Sequence, residues 1–321
     1  MRRIGILTSG GDAPGMNAAI RAAVRTAMAN DLEIFGIRRG FAGLIEGDIY
    51  RLGRKSIANI MHRGGTILET SRCPEFTTIE GRAKAIRALE NGGIEGLILL
   101  GGDGTFHGGS ELADEFGVGI IGVPTTIDND VYGTDYTIGF DTAINTALEA
   151  IDRIRDTAIS HERLFFIEVM GHHTGFIALE SGIAGGAEEI IFPELPHGKI
   201  LWERLGESFK MGKRSAIVVV AEGGMPGHTY AVAQEAKEKL NIDSRVCILG
   251  HVQRGGSPTA RDRILASCLG SAAVRGLLEG KNGCLVGQIK NEITYTPLKD
   301  TWGKKKALNP DLEWLASLLS A

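Results

Sequence analysis

No CxxC pair, no GxxxxGK[ST] phosphate loop and no apolar run long enough to cross a bilayer occurs in this sequence. The four cysteines, Cys73, Cys247, Cys268 and Cys284, stand far apart. Neither a zinc site nor a disulfide framework is expected from them, and a reduced, cytosolic compartment fits best. The chain opens directly on a strand-like apolar run, so an ordinary secretory signal is not expected either. A basic excess is also missing: the net charge of −4 argues against nucleic acid or an anionic membrane as the main partner. Any anionic ligand must then be met by local arginines. Without a phosphate loop, and without a convincing GxGxxG followed by a ribose-binding acid, ordinary P-loop and Rossmann dehydrogenase readings lose weight.

What is present is the composition of a globular enzyme: 321 residues, 43% hydrophobic and 23% charged. A chain of this size is expected to split in two, because single cores stop growing at roughly 250–300 residues. The 45 glycines are neither periodic nor low-complexity. They follow apolar runs: Ile4 to Leu7 leads into SGGDAPG, Leu97 to Leu100 into GGDGT, Leu164 to Val169 into MGHHTG, and Val246 to Leu249 into GHVQRGG. Each loop precedes a helical pattern. Short β-branched runs alternating with helices indicate parallel sheets buried on both faces, whose ligands bind at the carboxyl ends of the strands. A seam between domains is expected near Gly139, where TAINTALEAIDRIRDTA begins, with a second sheet from Leu164–Val169, Ile190–Phe192, Ile217–Val220 and Val246–Leu249. The stretch from Asn291 onward reads as polar and then weakly helical.

SGGDAPGMN follows a strand and opens a helix, where backbone N–H groups and the helix dipole can hold a phosphate. Packing alone also explains glycines in such a turn. GGDGT is more specific, since Asp103 sits between glycines that let backbone approach a triphosphate. Magnesium keeps most of its waters and takes one or two protein carboxylates beside substrate phosphates, so Asp103 is a natural Mg²⁺ carrier. A helix N-cap is the alternative. With no phosphate-loop lysine, Arg72 in TSRCPEF is the nearest cation for the transferred group; a solvated surface arginine is the plain reading.

PTTIDND, Pro124 to Asp130, is the densest chemical string. Asp128 or Asp130 suits the proton of a sugar hydroxyl attacking a γ-phosphate. An aspartate near its ordinary pKa of about 4 is a weak base for an alcohol, so acidic neighbours must raise it or the proton must move late. An Asx-turn pair that merely closes a loop is the competing reading. For a sugar phosphate, HVQRGGSPT offers His251 and Arg254, while Arg163 and Arg245 stand beside strand ends. Glu222, after the strand Ile217–Val220, suits the acceptance of hydrogen bonds from sugar hydroxyls and equally a structural cap.

Assembled, the whole chain resembles the bacterial ATP-dependent 6-phosphofructokinases, from RIGILTSGGDAPGMNAAIR through RGGTILETSRCPEF, GGDGT, TIDND, TIGFDTA, IRDTAISHER, VAEG, LGHVQRGGSPTARDR and LASCLG. The resemblance implies an α/β fold of two doubly wound, mostly parallel-sheet domains, divided as 1–138 with 256–304 and 139–255 with 305–321. It implies γ-phosphoryl transfer from ATP to fructose 6-phosphate in the cytoplasm. ATP would meet Gly11, Phe41, Arg72, Cys73, Gly102, Asp103, Gly104, Thr105 and Gly108, with Mg²⁺ on Asp103. Asp128 would accept the proton, with Arg72, Thr126 and Asp130 as its catalytic companions. The sugar phosphate would meet Thr126, Ile127, Asp128, Arg163, Met170, Gly171, His172, Glu222, Arg245, His251, Val252, Gln253 and Arg254. Arg163 and Arg245 would come from a neighbouring subunit, so a homotetramer is implied.

An effector site for ADP or phosphoenolpyruvate is implied at Arg21, Arg25, Arg54, Arg155, Glu188, Lys213 and Arg214. Met211 and Ser215 stand where the family often has basic residues, and Asn59 where some members have an acid, so weakened or altered regulation is expected. His172 replaces the usual arginine of MGRxxG, Thr125 a glycine and Phe41 a tyrosine. Pyrophosphate-dependent relatives tend to carry lysine at 125 and aspartate at 104; Gly104 leaves room for a nucleotide. The rival readings are a pyrophosphate-dependent phosphofructokinase, a nucleotide or lipid kinase sharing only GGDGT, and a non-catalytic sugar-phosphate sensor on the same fold.

Overall fold

The computed structural model describes residues 1–194, 199–223 and 227–320. The chain divides into two compact units, one of Met1–Thr126, Val131–Thr142 and Arg254–Lys306, the other of Ile127–Asp130, Ala143–Gln253 and the residues from Ala307 onward.

In the first unit the strands are β1 (Arg3–Thr8), β2 (Glu33–Ile37), β3 (Ile49–Leu52), β4 (Gly96–Gly101) and β5 (Gly119–Pro124). After the chain has passed through the second unit, β10 (Cys284–Ile289) and β11 (Glu292–Pro297) return to the first. The sheet order is β11-β10-β5-β4-β1-β2-β3. Its five central strands are parallel, and the edge pairs β2–β3 and β10–β11 are antiparallel. Strand alternation sends Ile4, Ile6, Ile98 and Leu100 into a core with α1 (Met16–Ala29) and the helix Ala260–Leu278. Leu7, Leu97 and Leu99 enter the opposite core, with α2 (Gly40–Glu46), α3 (Ile79–Gly92) and α4 (Asp103–Phe116). A sheet buried on both faces needs the near-continuous apolar strands read from the sequence. The polar stretch after Asn291 differs from expectation: Glu292–Pro297 is an edge strand. Its side chains are only partly buried, so it lacks an apolar signature.

Helix α5 (Phe140–His161) carries the chain from one unit to the other. The second unit holds β6 (Leu164–Val169), β7 (Glu189–Ile191), β8 (Ala216–Ala221) and β9 (Ser244–Ile248), all parallel, in the order β7-β8-β6-β9. The remaining helices are α6 (Phe176–Ala184), α7 (Lys199–Lys210), α8 (His228–Leu240), α9 (Ala260–Leu278), α10 (Leu298–Gly303) and α11 (Pro310–Leu319). Phe166, Val218 and Val220 pack with Leu201, Leu205, Val232 and Ala236 of α7 and α8.

Each sheet has a point where the winding reverses. In the first it lies between β1 and β4, in the second between β6 and β9. Ligand crevices of open parallel sheets form outside the carboxyl ends at such points. All four glycine-rich loops leave from these strands. No helix among the described residues is long and apolar enough to cross a membrane.

Candidate active site

The loops after β1, β4 and β5 meet in the first unit. Ser9 N–H donates to Leu100 O at 2.9 Å, and Thr125 N–H donates to Gly101 O at 2.9 Å. A Cβ built on Gly102 would sit 3.8 Å from Thr126 Cβ. The expected nucleotide residues Gly11, Gly102, Asp103, Gly104 and Thr105 and the stem of TIDND therefore share one end of one sheet. Helix α4 begins at Asp103, its cap position is Gly102, and no side chain caps it. Asp103 is thus a first-turn acid rather than the N-cap, and the helix N-terminus is available to an anion. Nothing lies within 4 Å of a Cβ built on Gly104.

Phe41, at the start of α2, is 5% exposed and stacks on Phe76, ring centroids 3.8 Å apart. Gly108 faces both rings; a Cβ there would come within 2.9 Å of Phe76 Cε1. The pair forms an aromatic wall beside α4. Buried Arg82 fixes the segment carrying Phe76, donating to Phe76 O at 3.2 Å and Thr77 O at 2.9 Å while pairing with Glu115 at 2.7 Å. Phe76 escaped the sequence reading, although the PEF string beside Cys73 marked the place. Cys73 is partly buried just before it, and Arg72 is exposed.

The TIDND loop returns to its own strand. Ile138 N–H donates to Pro124 O at 3.0 Å, Thr125 bridges to Ile138, and Thr137 Oγ1 donates to Thr126 O at 2.6 Å. Ile127 is buried, and Asp128 and Asp130 are half-buried. Thr125 is 1% exposed, and its Oγ1 has no hydrogen-bond partner among the described residues.

In the second unit, the loops after β6 and β9 are tied by Gln253, fully buried, whose Oε1 accepts Met170 N–H at 2.9 Å. His172 takes a left-handed backbone (φ 54°) and its N–H donates to Glu222 Oε1 at 2.7 Å. This turn also holds Gly171, whose O accepts from Thr174 Oγ1 at 3.0 Å. The His172 and His173 rings lie 3.9 Å apart. Val252 is 64% exposed and His251 is also exposed. Arg254 falls in the first unit, where its guanidinium fills the space beside Gly11.

Two arginines do not join the others within this chain. Arg163 precedes β6 and Arg245 lies near the start of β9, whereas Met170 and Glu222 follow the ends of β6 and β8. A six-residue strand separates its ends by roughly 20 Å. The effector candidates also divide: Arg21, Arg25 and Arg54 belong to the first unit, the rest to the second. There Glu188 pairs with Arg155 at 3.6 Å and Lys213 at 3.1 Å, beside a cleft of about 170 Å³ lined also by Ala316 and Leu319. Arg214 pairs instead with Glu162 at 2.9 Å.

Among the described residues no cluster of three or more His, Cys, Asp or Glu side chains is poised to hold a metal. The residues that fit a cation are those of the GGDGT cradle, one carboxylate at Asp103 followed by Gly104 with no atom within 4 Å of a Cβ built there; this donor set suits a magnesium carried mainly by phosphates and water.

A family model described as Phosphofructokinase matches residues 3–277. ATP-dependent 6-phosphofructokinase 1 of Thermus thermophilus is 59% identical over 321 residues, covering all of both chains. The ATP-dependent 6-phosphofructokinase of Bacillus pumilus is 51% identical, again over the full length of both. Among solved structures, phosphofructokinase from Saccharomyces cerevisiae superposes with a TM-score of 0.87 at 36% identity, covering 99% of this chain and 47% of the yeast chain.

Proposed function

Because this chain belongs to the phosphofructokinase family, we infer that it transfers the γ-phosphoryl group of ATP to the 1-hydroxyl of fructose 6-phosphate. The products are fructose 1,6-bisphosphate and ADP, and the reaction is a step of glycolysis. The observation that carries this reading is the hydrogen bond from Thr125 to Gly101, which brings the stem of the TIDND loop beside the glycine cradle that opens α4.

The roles follow from chemistry. Backbone N–H groups at the start of α4 attract the polyphosphate. Asp103 would hold Mg²⁺, which would supply neutralisation of charge on the phosphates. Arg72 supplies a further positive charge at the transferred group. The buried Phe41–Phe76 pair backs the side of α4 that carries Gly108. Asp128 takes the proton of the 1-hydroxyl late in a loose transition state, when the oxygen has already become acidic, so an ordinary carboxylate suffices. Arg254 and His251 bind the 6-phosphate, and Glu222 shapes the 171–174 turn through His172 N–H.

Arg163 and Arg245 complete the phosphate site from a second copy of the chain. Their place at the amino ends of β6 and β9, a strand length from Met170 and Glu222, supports a homo-oligomer, and a homotetramer is the proposed assembly. The proposed effector residues for ADP or phosphoenolpyruvate are Arg155, Glu188, Lys213 and Arg214 of the second unit and Arg21, Arg25 and Arg54 of the first.

The test is phosphorylation of fructose 6-phosphate by the purified protein with either ATP or pyrophosphate as donor in the presence of Mg²⁺. Turnover with ATP and little with pyrophosphate is expected. Faster turnover with pyrophosphate would overturn the donor assignment, and no turnover with either would overturn the reaction.

A further inference from the structure

Asp262 is 1% exposed, and its carboxylate faces the start of another helix. Oδ1 accepts Gly139 N–H at 2.9 Å; Oδ2 accepts Thr142 N–H at 2.8 Å and Thr142 Oγ1–H at 2.5 Å. The connection is reciprocal. Asp262 N–H donates to Thr259 Oγ1 at 3.2 Å, Thr259 Oγ1 donates to Asp141 Oδ2 at 2.6 Å, and Thr259 N–H donates to Thr142 Oγ1 at 3.0 Å. The first turns of α5 and α9 thus cap one another through a ring of side-chain and backbone bonds among Thr142, Thr259 and Asp262, with Asp141 bonded to Thr259.

Two chain segments leave this ring and a third packs against it, and each leads to the proposed site. Gly139 is preceded by Thr137 and Ile138, which pair with Pro124–Thr126 and so fix the return arm of the loop carrying Asp128. Thr259 is preceded by the Arg254 segment, anchored on the way by Ser257 Oγ donating to His62 O at 2.8 Å. The third is Gly15, at the end of the glycine-rich loop after β1; a Cβ there would meet Ile138 Cγ2 at 2.5 Å and Asp262 Cβ at 3.8 Å. A helix cap needed only for α5 requires one acceptor. This carboxylate takes three donors from the arm that enters α5, and Asp262 reaches the second arm through Thr142 Oγ1, which accepts Thr259 N–H, and through its own N–H to Thr259 Oγ1.

We propose that Asp262 is a positioning residue for phosphoryl transfer, holding the arm of Asp128 and the arm of Arg254 in a common register. The proposal rests on the phosphofructokinase reading of the site and deepens it. A buried carboxylate with three donors is a rigid tie, because each bond lost leaves another polar group buried and unpaired. Loss of the tie lets both arms shift, and a displacement of about 1 Å at reacting groups is worth up to roughly a hundredfold in rate.

The experiment compares wild type with Asp262→Asn, Thr142→Val and Thr142→Ser at a temperature where circular dichroism shows each fully folded. Asp262→Asn and Thr142→Val are expected to lower kcat about tenfold or more and to raise the fructose 6-phosphate KM. Thr142→Ser, which keeps the hydroxyl, stays near wild type. Hydrogen exchange should accelerate at residues 124–142 in the two damaging variants. If those variants keep kcat and KM within about twofold and lose only thermal stability, Asp262 is a plain helix cap and the proposal fails. Should Asp262→Asn not fold, Thr142→Val against Thr142→Ser decides alone. The wild-type rate tests the reaction itself; the ratios between variants, and the exchange data, test the tie.

Discussion

Arg254 occupies the volume that any side chain at Gly11 would need: a Cβ built at position 11 falls onto the Arg254 guanidinium. Arg254 Nε is buried and has no hydrogen-bond partner among the described residues, so the side chain is held by shape. Gly11→Ala should therefore act through Arg254. Position 11 does not have a positive φ, and the displaced group is the flexible end of a side chain, so the fold should tolerate the methyl. Losing charge-assisted bonds to a phosphate is expected to raise the fructose 6-phosphate KM by roughly 10- to 100-fold. Steady-state kinetics beside a thermal melt checks this. An unchanged KM, or a variant that fails to fold, would show that Gly11 serves something else.

Asp128→Asn should lower kcat by roughly 10²–10⁴ while the fructose 6-phosphate KM stays within a few-fold. The amide keeps the size of the side chain and cannot take a proton, so the chemical step suffers and the phosphate pocket does not. Turnover near the wild-type rate would remove Asp128 from the role of base.

How much of this was legible in advance depends on whether the signal was local. The loops after β1, β4, β6 and β9 show plainly, because a strand buried on both faces is a short apolar run and its end is marked where glycine lets the chain turn into a helix. Strand order was not legible, and with it the two reversal points from which these four loops leave. The tie at Asp262 joins residues 120 positions apart, which no window along the chain can display. Its local part was visible nonetheless: Thr259-x-x-Asp262 is a capping-box pattern at the start of α9. The Phe41–Phe76 stack was hidden for the same reason of distance. β11 was missed because a half-exposed edge strand has no continuous apolar run to read.

Regulation should be weak. In the second unit Glu188 already pairs with Arg155 and Lys213, and Arg214 is directed to Glu162. Met211, 82% exposed, adds no charge. Fewer cations remain for a diphosphate or a phosphorylated enol than in relatives with basic residues at 211 and 215. Saturating ADP or phosphoenolpyruvate is expected to shift the half-saturating fructose 6-phosphate concentration by less than about threefold, a small fraction of what a full set of charge-assisted bonds supplies. Substrate-saturation curves with and without each compound test it, and a shift of an order of magnitude would contradict it.

Stability should fall as the pH rises through neutrality, and Glu189 is the cause. Its side chain is 3% exposed, with Arg204 Nε at 2.9 Å from Oε1. Burial pushes its carboxyl up to about 7 despite that arginine. In the unfolded chain the same group titrates near the ordinary glutamate value of about 4.3. Between these two values the native state holds a proton that the unfolded state has released, so the slope of unfolding free energy against pH is negative there. The stabilisation is complete below the unfolded value and is lost as pH rises through about 7. Its full size is on the order of 3 kcal/mol. Glu189→Gln has no such proton to lose. Reversible denaturant unfolding at several pH values from 5 to 8, at one protein concentration, should show the wild type weakening with pH relative to the variant. Parallel curves would mean that Glu189 stays ionised throughout, with Arg204 outweighing burial.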